Sequence, residues 1–159
     1  MKITTVLSTA AATTVTAIVG SIASRETDSR WYRKLRKPGI QPPAVAFPVV
    51  WTALYADIVA TSAVAIDALT ERGDHDGRRK YITALGVNLV LNASWSWMFF
   101  AWHRLVPSTI VAAALAASSA DLTRRTAAAD PVAGAALAPY AGWTGFATLL
   151  SGRITQLNR

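Results

Sequence analysis

The feature that most constrains this chain is where its charges are missing. Between Ile3 and Ser24 there is no Asp, Glu, Lys or Arg, and the same holds for Gln41 to Ala56, Tyr81 to Trp102, Leu105 to Ala120 and Pro131 to Gly152. A helix needs about 20 predominantly apolar residues to cross a hydrocarbon core of roughly 30 Å. The runs therefore predict an all-α membrane protein, a bundle of five transmembrane helices over 3–24, 44–68, 81–102, 107–124 and 131–151, in one domain of 159 residues. A water-soluble bundle would return a charge to its solvent face at every helical turn, and these runs do not.

Punctuation supports the spans. Pro107 falls in the first turn of the fourth, and Asp130-Pro131 supplies an N-cap and a proline at the first helical position of the fifth. Pro48 either kinks the second helix or marks its true start. The first segment, rich in threonine and longer than the apolar core of a secretory leader, reads as a retained helix. Its Ala12, Thr16, Gly20 and Ser24 form a small-residue face for close helix contact. Gly134, Ala138 and Gly142, and likewise Ala112, Ala116 and Ala120, extend that reading to the last two helices and to a possible homodimer.

An odd number of spans puts the two termini on opposite sides. Seven Lys and Arg fall on the amino-terminal side and nine on the other, which carries the long loop 25–43 with its "RWYRKLRK" cluster. Positive-inside bias thus leans towards a cytoplasmic carboxy terminus. The basic cluster suits anionic headgroups better than nucleic acid, so no nucleic-acid partner is expected.

Function must be sought among polar and aromatic residues inside the spans. The third carries Asn88, Asn92, Trp95 and Phe99 at 4-3-4 spacing on one face, within "NLVLNASWSWMFF". Unpaired amides are costly in hydrocarbon, so this face meets protein, ligand or water. Trp51 with Tyr55, and Tyr140 with Trp143 and Ala147, add similar faces on the second and fifth spans, and together they describe a pocket for a large, flat, mainly apolar ligand. Trp97, about 200° round the helix from Trp95, faces lipid or a partner subunit in this reading. Asp57 points about 160° away from Tyr55, which favours a structural carboxyl at a helix or subunit contact over a proton relay. The chain has no cysteine, and its two histidines lack ligand-spaced companions, so neither a metal site nor a required cofactor is expected. No catalytic triad, carboxylate pair or phosphate loop stands out.

Taken in order, "WYRKLRKP" followed by "PP", "VVWTALY", "NLVLNASWSWMFF", "DPVAG" and "PYAGWTGFATLL" resemble the TspO/MBR family, the tryptophan-rich sensory and translocator proteins, over about residues 20 to 151. The resemblance implies a five-helix bundle, often dimeric, in a bacterial cell membrane or its mitochondrial counterpart, that binds protoporphyrin IX, haem or other flat apolar ligands beneath the long loop. Carried onto matching positions, the ligand-binding residues would be Tyr32, Pro42, Trp51, Asn92, Trp95, Trp143 and Ala147. A sensor, scavenger or regulator of porphyrin is the implied role. A transporter of porphyrin or other apolar anions, or a protein that degrades porphyrin in light, is the alternative. The chain departs from the family pattern in two places. Ile40 stands where a loop tryptophan is usual, and Gly152 occupies the tyrosine position of the carboxy-terminal sterol motif, which weakens any expectation of sterol binding by that motif.

Overall fold

The computed structural model describes all 159 residues and is helical throughout. Five long helices, α1 (Ile3–Ser24), α3 (Ala46–Glu71), α4 (His75–Ser96), α5 (Leu105–Ala129) and α6 (Pro131–Leu157), are joined by short turns. The exception is the connection after α1, which holds a 3₁₀ turn at Arg25–Asp28 and a five-residue helix, α2 (Arg30–Lys34). The expected loop is thus partly helical, because Ser29 caps α2 by accepting a hydrogen bond from the Tyr32 N–H at 3.1 Å. Four of the long helices, α1, α3, α4 and α5, are long and apolar enough to cross a membrane. α6 matches them in length at 27 residues, but four glycines and two prolines between 131 and 152 dilute its hydropathy.

Helix ends run past the charge-free spans. α4 begins six residues early because Asp74 caps it, accepting from Gly77 N at 2.8 Å, and because Asp76 pairs with Arg79 and Lys80 on the first turns. Pro48 sits in the first turn of α3, where its missing N–H is harmless, so it causes no break. α4 closes in a π turn over Trp97–Ala101, then turns through His103, whose φ of 54° is left-handed and whose ring stacks on Trp31 at 3.9 Å.

The long helices form a ring in the order α1, α3, α6, α5, α4, with α5 and α6 in the longest contact. Gly134 makes that contact possible: a Cβ there would lie 2.4 Å from Ala127 Cα. Ala138 and Gly142, grouped with it by sequence, face outward. On α1 the buried face is Thr9, Thr13, Thr16, Gly20 and Ala23; Thr16 and Gly20 pack as expected, while Ala12 points out.

Both ends of the ring are tied across helices. At one, Asp67 of α3 accepts from the Lys2 backbone N–H and from Thr5 Oγ1 (2.6 Å), so a neighbouring carboxylate caps the start of α1. At the same end Arg72 donates to the carbonyls of Ala128 and Ala129 that finish α5 (3.3 and 2.6 Å). At the other, Asn158 donates to the Arg36 carbonyl and accepts from the Arg36 N–H, both at 2.9 Å, clasping the loop to the end of α6. The helix contact expected of Asp57 is therefore made by Asp67. Asp57 is half-buried, and Thr61 Oγ1 bonds its backbone carbonyl, not its carboxyl.

Candidate functional site

Beneath the loop, aromatic rings converge from three of the five long helices and from α2. α3 brings Phe47, Trp51 and Tyr55, the end of α4 brings Trp95, Phe99 and Phe100, α6 brings Tyr140, Trp143 and Phe146, and α2 lays Trp31 and Tyr32 across the top. The rings touch in a chain: Trp51 meets Tyr55 at 5.5 Å and Tyr140 at 6.5 Å, and Trp143 meets Phe47 at 6.0 Å and Phe146 at 5.5 Å. Trp95 stacks on Phe99 at 5.8 Å and meets Phe100 edge-on at 5.9 Å, a double contact that the π turn permits by placing successive rings on one side. Tyr32 closes over Phe100 at 5.7 Å.

One turn deeper lies a polar floor. Tyr55 Oη donates to Asn92 Oδ1 (2.8 Å), Asn92 Nδ2 to Tyr140 Oη (3.3 Å), and Tyr140 Oη to Asn88 Oδ1 (2.7 Å). Asn88 Nδ2 then donates to Ser118 and Ser119 Oγ (3.2 and 3.1 Å). Each donor points the same way along this chain, which links α3, α4, α6 and α5. α4 and α6 do not approach closely as backbones. Their connection is made by large side chains, including Trp95, whose indole donates to Ser151 Oγ at 3.3 Å.

Of the residues singled out by sequence, Trp51, Trp95, Trp143 and Tyr32 are brought to the aromatic chamber. Ala147 lies one turn beyond Trp143 on α6, and Pro42 lies partly covered in the segment leading to α3. Asn92 belongs to the floor: its carbonyl and one amide hydrogen are engaged by Tyr55 and Tyr140, so it positions those phenols. Trp97, half-buried, engages α1 with its indole N–H. It donates to the Val19 carbonyl of α1 at 3.1 Å. Sequence reasoning left out Phe47, Phe100, Phe146 and Gln41. Phe47 and Phe146 carry a usable signal, since each is about one turn from a tryptophan already chosen.

Two polar atoms here are buried without a partner, Trp143 Nε1 and Gln41 Oε1. Gln41 also donates from Nε2 to Tyr32 Oη, at 3.4 Å. Burial raises the Tyr32 phenol above its usual pKa, against the smaller effect of Gln41, so it stays neutral. A hydrogen-bond donor, Trp143 Nε1, and an acceptor, Gln41 Oε1, are therefore both buried and unused.

A helical bundle in which four helices are long and apolar enough to cross a bilayer defines an integral membrane protein, with its aromatic side chains gathered at the loop end. Residues 8–157 match the TspO/MBR family, and the chain belongs to it. It is 27% identical to protein CrtK of Rhodobacter capsulatus over 147 residues, 89% of this chain and 87% of that one. It is 27% identical to a tryptophan-rich sensory protein of Cereibacter sphaeroides over 128 residues, covering 80% and 77% of the two chains. The translocator protein of Ovis aries is 28% identical over 136 residues, covering 82% and 76%.

Proposed function

We propose that the protein binds a tetrapyrrole, protoporphyrin IX or haem, in the chamber beneath the loop and serves as a sensor, scavenger or regulator of that ligand. The observation that carries this reading is the Trp143 indole N–H, buried and unpartnered beside Phe47 and Phe146. Leaving such a donor unsatisfied is costly, and a carboxylate or other acceptor on a flat ligand would complete it. The macrocycle would replace ring contacts that Trp51, Trp95 and Trp143 now make with neighbouring tyrosines and phenylalanines, while Tyr32 and Pro42 cover it and Ala147 leaves room for its edge. Family membership supports the same reading.

In this proposal α6 is the fifth span. Its start lies at the end where Arg72 reaches α5, and its finish at the end where Asn158 holds the loop, so it runs the length of the bundle like the other four. The loop, Arg104 and the carboxy terminus then share the more basic side, proposed as the cytoplasmic face of a bacterial cell membrane.

Titration with protoporphyrin IX should quench tryptophan fluorescence saturably. Trp143→Phe keeps the ring but removes the N–H, and is expected to weaken binding about tenfold, in line with roughly 1–1.5 kcal/mol for one hydrogen bond. Unchanged affinity in that variant would sink the proposed site.

A further inference from the structure

Away from the chamber, a groove of about 480 Å³ opens between α4 and α5 at the end opposite the loop. Its lining changes character along its length. Arg79 and Lys80 of α4 and Asp121 and Arg125 of α5 form its mouth, while Val87 and Ser118 lie deeper, within the charge-free spans. The groove therefore straddles the level at which both helices pass from charged to apolar sequence.

The charges at its mouth are arranged in two trios. Asp76 is shared by Arg79 (3.0 Å) and Lys80 (2.6 Å), and Asp121 by Arg124 (2.7 Å) and Arg125 (2.6 Å). Each trio keeps one positive charge in excess, and the two face one another across the helix pair. We infer that this groove is a docking site for an anionic phospholipid, with its phosphate between Lys80 and Arg125 and an acyl chain running along Val87. A cationic mouth supplies charge complementarity for the headgroup, and the apolar continuation distinguishes a lipid from a free anion. Ser118, at the inner end, also accepts from Asn88, so the bound chain lies against the last member of the central hydrogen-bond chain.

The full-length protein in detergent, offered equal amounts of dioleoyl phosphatidylglycerol and dioleoyl phosphatidylcholine, should retain the former in native mass spectra. Each cation removed is expected to lower that preference about fivefold, so Lys80→Gln with Arg125→Gln lowers it about 25-fold. Val87→Trp, which fills the groove without touching a charge, should lower it too, and Arg33→Gln with Lys34→Gln at the loop end should not. Inorganic phosphate at millimolar concentration should fail to displace the lipid. Retention equal to wild type in both groove variants, equal loss in the loop-end variant, or displacement by phosphate would each overturn the assignment. Circular dichroism identical to wild type keeps a folding defect from imitating the expected loss.

Discussion

Replacing Tyr140 by Phe removes one oxygen but strands two amide groups: Asn88 Oδ1 loses its donor and Asn92 Nδ2 its acceptor. Both asparagines are fully enclosed, so no water from outside repairs the loss. Tyr140→Phe is expected to destabilise the protein by about 1–3 kcal/mol, and Tyr55→Phe, which strands only Asn92 Oδ1, by less. Thermal unfolding in one detergent should rank them in that order; equal midpoints would argue against the directional chain. The pattern of Asn88, Asn92 and Trp95 was legible in sequence as a polar face, but its partners were not. Helical spacing says which residues share a side, whereas Tyr140 lies 48 residues from Asn92 and reaches it across a gap that only folding defines.

Among elements, the closest fit is α5 against α6. Gly134→Ala would drive a methyl group into the Ala127 backbone, and a loss of about 1–3 kcal/mol is expected from overpacking. Gly142→Ala, with open space around it, should be neutral or gain up to about 1 kcal/mol in helix propensity. The same two measurements by thermal or denaturant unfolding separate a glycine required for packing from one that is not. Sequence placed both on one small-residue face because a spacing of four is close to a helical turn. Drift of about 40° per step then carries the face from the α5 contact to the surface. The five long helices themselves were readable from charge. Their ends were not, because capping by Asp74 and short-range ion pairs at Asp76 extend α4 through residues that look like a loop.

For the molecule as a whole, the contacts at the two ends determine how the chamber is covered. Asn158 grips the Arg36 backbone from both sides, and Trp31 rests on His103, so the cover is fastened to α6 and to the α4–α5 turn at once. Asn158→Ala should raise the rate of tryptic cleavage after Arg36 several-fold while leaving total helicity unchanged. Protoporphyrin IX should slow that cleavage in the parent protein. Cleavage indifferent to both the substitution and the ligand would separate the cover from the chamber.

The π turn at Trp97–Ala101 bears on how this chain is compared with its kin. Such a turn holds one residue more than an α turn, and the surplus is absorbed locally, with Trp102 N–H bonded to the Trp97 carbonyl at 2.9 Å and Arg104 N–H to that of Met98 at 2.8 Å. Loss of one residue is therefore absorbed more readily here than within the flanking helices. Excising Met98 is expected to restore ordinary α register while Asn88, Asn92 and Trp95 keep their stations, at the expense of the second phenylalanine's contact with Trp95.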